Sequence, residues 1–139
     1  FLRASNFAGI AFGHAGCAAV HALSYPLGGA HHVPHGQSNQ LMFADVMRKY
    51  QEKKPVGKLN KLEEILAEEL DTEPVFALEE LYKLMNAVLE KKQLREVGVT
   101  ADELPVYAKT VLKTQQRLLN NNYVELTEED ILSIYTNAF

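Results

Sequence analysis

Five histidines, His14, His21, His31, His32 and His35, fall within 22 consecutive positions of a 139-residue chain, where uniform scatter would place fewer than one. His14 and His21 are seven residues apart and share one face of a helix. The Pro26-Leu27-Gly28-Gly29 segment reads as a loop that folds the chain back and sets His35 against that face. Two imidazoles from a helix and the turn after it make half of a metal site suited to Zn, Fe, Cu or Ni. A usable catalytic site needs three or four protein ligands and an open position. His35 falls just ahead of the next helix, whose positive dipole end favours the neutral ring that coordinates. The rest of the chain offers carboxylates but none in ligand-like spacing, so further ligands must come from elsewhere. The plainer alternative is a set of buried or surface histidines that hold no metal.

The elements that position these rings divide the chain into two compositional parts. Residues 1–50 contain all five histidines and most of the glycines with almost no acid, whereas residues 51–139 are rich in Leu, Glu and Lys. The join at Lys53-Lys54-Pro55-Val56-Gly57 reads as a loop. The first part predicts a helix from about Asn6 to Ser24, then the loop, a His-rich turn, and a helix from about Gly36 to Gln51. Ala and Gly dominate the first of these helices, a composition that permits close backbone approach either inside a core or to a ligand. In the second part, Asn60 with Glu63, Thr72 before Pro74, Thr100 with Glu103 and Thr127 with Asp130 mark four helix starts. Apolar residues follow at near-3.6 spacing: Leu62, Ile65, Leu66 and Leu70; Leu78, Leu81, Leu84, Met85 and Val88; and Leu104 to Leu118. No alternating β-branched run appears, so the expected fold is an all-α bundle forming a single helical domain over 1–139, with the site helices in 1–53 and the bundle in 54–139.

Composition narrows the function classes. Eighteen acids against fourteen bases give a net charge of −4, the wrong sign for a surface that binds nucleic acid by charge. The Phe7–Ala30 stretch is apolar, but Ala and Gly make up its bulk and it contains two histidines, too weak a composition for a membrane span. A lone Cys17 excludes an internal disulfide and fits a reducing, cytoplasmic setting, where it serves as a small hydrophobe. The opening at Phe1 reads as the later part of a longer polypeptide. No strand–GxGxxG–helix unit or P-loop is present, so no dinucleotide or phosphate site of those kinds lies in this chain.

Three segments carry a family resemblance: Asn6-Phe7-Ala8-Gly9-Ile10-Ala11-Phe12-Gly13; Val20-His21-Ala22-Leu23-Ser24-Tyr25-Pro26-Leu27-Gly28-Gly29; and Val33-Pro34-His35-Gly36-Gln37-Ser38-Asn39. With a helical His and a Pro-His-Gly His fourteen positions apart, and a tail of Gln116–Asn122 followed by Thr127–Ile131, the chain resembles the iron-dependent (group III) alcohol dehydrogenases over nearly its whole length. Its wording is most similar to the members that act on 4-hydroxybutyrate.

The resemblance implies the helical C-terminal domain of a dehydroquinate-synthase-like fold. It also implies a separate N-terminal Rossmann-like domain, absent from this chain, that binds NAD or NADP. His21 and His35 would be two of four ligands to Fe2+ or Zn2+, the others lying on an upstream helix. Phe12 matches a position that lines the substrate cleft, although a Phe in a small-residue helix also serves as plain core. Tyr25 stands where many relatives carry another His, and its phenol would either donate to substrate or pack. A hydroxy-acid carboxylate would require a cation, for which Arg3, His31 and His32 are the candidates. The implied activity is oxidation of a small alcohol, with 4-hydroxybutyrate and succinate semialdehyde as the pair, in a homo-oligomeric enzyme whose isolated fragment is inactive. Two rivals stand against it. One is a helical metal-binding protein that completes its site by self-association, and the other is a helical interaction module with incidental histidines.

Overall fold

A computed structural model describes all 139 residues and contains helices and turns but no strand. The chain forms α1 (Leu2–Ala15), α2 (Ala19–His31), α3 (His35–Lys53), α4 (Lys58–Leu70), α5 (Ala77–Val88), α6 (Glu103–Thr114), the single turn α7 (Gln116–Leu119) and α8 (Glu128–Ala138), with 3-10 turns at Pro74–Phe76 and Leu94–Val97. The all-α expectation holds.

The core is built where α2, α3, α6 and α8 pack together. Leu23 and Leu27 on α2, Leu41, Met42 and Val46 on α3, Val111 on α6, and Ile131, Ile134 and Tyr135 on α8 are all essentially inaccessible. Each such aliphatic side chain contributes about 1.5–3 kcal/mol on burial. Tyr135 donates its hydroxyl to the Leu23 carbonyl at 2.8 Å, tying α8 to the middle of α2.

The structure departs from the sequence reading at both ends of α2. The single helix expected over Asn6–Ser24 is two helices, bent by 106° at Gly16-Cys17-Ala18. His14 and His21 therefore share no helical face. Gly16 has φ 76 and ψ 172, a conformation open only to glycine, and a Cβ there would lie 2.7 Å from Asn121 Nδ2. That amide donates to the Ala15 carbonyl at 2.7 Å and the Cys17 carbonyl at 3.2 Å, while Asn122 Oδ1 accepts from the Ala19 N–H and the Tyr50 hydroxyl. The tail loop thus latches the break.

The expected loop at Pro26-Leu27-Gly28-Gly29 is helical instead. α2 runs through Pro26 to His31, with Ala19, Ala22, Leu23, Ser24 and Leu27 buried, and this packing outweighs a proline cost of about 3 kcal/mol. The chain turns at His32, in the left-handed region with φ 55, followed by Val33 and Pro34. His35 is the first residue of α3 rather than a residue ahead of it.

In the second part, Thr127 and Asp130 form the expected capping box on α8. Thr100 binds the Glu103 carboxylate through its N–H at 2.7 Å and its hydroxyl at 3.0 Å, although α6 is capped at Asp102. Asn60 lies inside α4, which begins after Gly57. Leu59 and Ala67 are the buried residues of α4, while Leu62 and Ile65 on it and Leu84 on α5 face outward, so the α4–α5 pair buries only part of its apolar stripe. α1 contributes no buried residue at all, and Phe7, Ile10 and Phe12 lie exposed along it. No single helix is long and apolar enough to cross a membrane.

Candidate metal centre

Antiparallel packing of α2 against α3 across the tight 32–34 turn carries His21 and His35 to the same place from two helices. Their ring centroids are 5.1 Å apart at an interplanar angle of 53°. Both Nε2 atoms point at one side chain, the carboxamide of Asn39, whose Nδ2 is 3.3 Å from His21 Nε2 and 3.2 Å from His35 Nε2. Burial, and then the neighbouring His35 ring, hold the His21 pKa below the ordinary histidine value. At neutral pH the His21 lone pair is therefore available.

A cavity of about 460 Å3 opens beside His21. Phe12, Val20, Phe43 and Met85 give it apolar walls, and Cys17 and Asn39 also line it. No Lys, Arg, Asp or Glu faces this space. Tyr50 borders it as well, its hydroxyl bound to Asn122 and its pKa pushed up to about 12 by burial. A small, largely apolar molecule fits such a space, with the His21 imidazole and the Asn39 amide as polar groups on its wall.

The candidate residues are placed differently. Phe12 lines the cavity, reaching it from the exposed helix α1. Tyr25 stands one turn beyond His21 on α2, partly exposed, with its ring stacked on His35 at 6.2 Å and 29°. His31 does not reach the cavity. Its Nε2–H lies 3.0 Å from Glu103 Oε1 and 2.9 Å from the Tyr107 hydroxyl oxygen, and Tyr107 donates to the same carboxylate at 2.7 Å. These bonds tie the end of α2 to the start of α6 and leave that nitrogen committed within the protein. Arg3 and His32 are exposed and likewise absent from the cavity wall.

Two features escaped the sequence reading. Asn39 stands within a quoted segment, four residues and so one helical turn after His35, a spacing that places it on the same face. The Glu103–Tyr107 partnership also has one-turn spacing on α6, but its third member, His31, is 72 residues away in sequence from Glu103.

The donors present suit a divalent metal in kind but only in part by number. Two imidazole nitrogens converge on one point, and Asn39 Oδ1, buried beside them, has no partner. Nowhere do three or more His, Cys, Asp or Glu side chains converge as a metal-binding group. The chain thus offers two candidate ligands, fewer than the three or four protein ligands that a metal site takes.

All 139 residues match the pattern of the Fe-containing alcohol dehydrogenase family, C-terminal, and the chain belongs to this family as its C-terminal region. It is 45% identical over 139 residues to a 4-hydroxybutyrate dehydrogenase of Clostridium kluyveri, covering 100% of this chain and 38% of that protein. It is 36% identical over 139 residues to long-chain-alcohol dehydrogenase 1 of Geobacillus thermodenitrificans, covering 97% of this chain and 35% of that protein. An archaeal alcohol dehydrogenase from a Red Sea brine pool superposes on 88% of this chain, and on 32% of its own, with a TM-score of 0.75 at 21% identity, a likeness of fold. A 1,3-propanediol oxidoreductase superposes on 86% of this chain and 32% of its own with a TM-score of 0.64 at 26% identity. The chain spans little more than a third of the length of the curated relatives it matches.

Proposed function

We propose that this chain is the metal-site half of an NAD(P)-dependent alcohol dehydrogenase, with His21 and His35 as two ligands of an active-site Fe2+ or Zn2+. The observation that carries this reading is the convergence of the two Nε2 atoms on Asn39, which together with His21 lines an apolar cavity. Bound there, such an ion supplies Lewis-acid polarisation of the alcohol oxygen, which eases its deprotonation. The remaining ligands lie on a helix upstream of this chain, and the dinucleotide belongs to a separate N-terminal Rossmann-like domain, for both of which the greater length of the relatives leaves room. The unburied apolar side of α1 at Phe7, Ile10 and Phe12 fits a helix covered by that domain.

The substrate we assign is 4-hydroxybutyrate. Its oxidation to succinate semialdehyde, with release of one proton, would draw on a nicotinamide held by the N-terminal domain as the hydride acceptor. Phe12, Val20 and Phe43 exclude water from the carbon chain. The Tyr25 ring stacks on His35, and its phenol would donate a hydrogen bond to the substrate oxygen. With no cation on the cavity wall in this chain, the substrate carboxylate is met by a cation of the N-terminal domain.

The experiment is His21→Ala and, separately, His35→Ala in the complete polypeptide, reading metal content by native mass spectrometry and turnover with 4-hydroxybutyrate and with 1-butanol. Each variant is expected to lose the metal and turnover of both alcohols. Retained metal and turnover in either variant would exclude that residue as a ligand. Faster turnover of 1-butanol than of 4-hydroxybutyrate in the unaltered protein would exclude the substrate.

A further inference from the structure

Asn39 is the side chain on which the two imidazoles converge. It follows His35 by one turn of α3 and reaches across to His21 on α2, so its amide spans the seam between the two helices. A carboxamide nitrogen carries two N–H groups that diverge by roughly 120°, enough for two separate acceptors, whereas a hydroxyl has one donor and a carboxylate none. The 3.3 Å and 3.2 Å separations match one bond to each ring. Asn39 Oδ1 is buried without a partner, and the reversed amide would bury two unpartnered donors in its place, the costlier arrangement.

The geometry points to Asn39 as a positioning residue that presets His21 and His35 as Nδ1–H tautomers, each Nε2 accepting from its amide and open to a metal once that amide swings aside. This inference rests on the metal reading above. Free histidine favours the opposite tautomer, with the proton on Nε2, so the state is imposed by the protein. An imidazole ligand needs its coordinating nitrogen free of a proton, and fixing the tautomer before metal arrives removes one rearrangement from binding. His31 shows the contrary setting in the same molecule, because its Nε2 faces a carboxylate and must carry the proton.

The test records 15N NMR of the histidine rings in the metal-free complete polypeptide, for the native sequence and the isosteric Asn39→Asp, together with Zn2+ uptake by the native polypeptide. The native His21 and His35 should be Nδ1–H, and both should become Nε2–H in Asn39→Asp. Since Asp keeps the shape of Asn, its spectrum reads the lost donors rather than lost packing. A native ring already protonated on Nε2, or rings unmoved by Asn39→Asp, would overturn the proposal. If the tautomers shift as expected but the native polypeptide takes up no Zn2+, the metal reading itself fails and the purpose assigned to Asn39 falls with it.

Discussion

Two histidine environments sit at opposite ends of α2, and they differ in which side of the imidazole the protein uses. At the first turn of α2, His21 meets His35 across the helix seam, and both Nε2 atoms face a donor. At the last turn, His31 Nε2 faces the Glu103 carboxylate and the Tyr107 hydroxyl. An Nε2 that faces a donor keeps its lone pair, while one that faces a carboxylate carries a proton and serves as a tie between helices. The same residue type on one helix thus accepts through Nε2 at one end and donates through it as a structural bond at the other. Clustering in sequence says nothing about which is which.

The comparison is sharpened most by breaking the backbone that frames the first environment. Gly16→Ala forces a side chain into a glycine-only conformation and against Asn121, at a cost of about 1–3 kcal/mol. Because α1 buries nothing, the strain should be relieved locally. Amide exchange in α1 is expected to accelerate about tenfold or more, with exchange near His31 and Glu103 unchanged. Equal acceleration at both ends of α2 would show that the two environments are not independent.

A smaller effect is expected at the second environment. Tyr107→Phe removes the 2.7 Å bond to Glu103 while preserving the ring that packs on Tyr135 at 5.9 Å. The loss should be about 1 kcal/mol by denaturant unfolding, in the usual range for a hydrogen bond to a partly exposed group. Zn2+ affinity of the complete polypeptide should not change. A variant that weakened metal binding as well would merge the two environments into one network.

How far each environment could be read in advance follows from where its partners lie. Helical spacing at Leu104, Tyr107, Ala108 and Val111, and the Thr127–Asp130 cap, made the all-α fold legible, since both signals are local. The His21–His35 pairing was legible from residue type and the tight return between them. The path of the chain there differs from the loop that Pro26-Leu27-Gly28-Gly29 predicts, because α2 continues through Pro26 under the pull of buried Leu23 and Leu27. The break at Gly16 depends on Asn121, over a hundred residues away, and His31 depends equally on a distant helix. Propensity and spacing carry no trace of such contacts. Asn39 lay in plain view, but its role exists only once α2 and α3 are paired.

The smallest expected effect is also the one that isolates the second environment by pH. The Glu103 carboxyl is held at about 2, against an ordinary 4.5, first by the Tyr107 hydroxyl and then by the Thr100 N–H, with the Thr100 hydroxyl and His31 adding to it. A depressed carboxyl binds protons more weakly in the folded than in the unfolded chain, so folding gains from its ionisation. That gain is complete above the ordinary value and is lost as pH falls from about 4.5 through about 2. Urea midpoints followed from neutral pH downward should therefore decline more steeply over this window in the native chain than in Glu103→Gln, whose amide does not titrate. Parallel curves would show that the carboxylate is as well solvated folded as unfolded, and the tie between α2 and α6 would then rest on Tyr107 and packing rather than on charge.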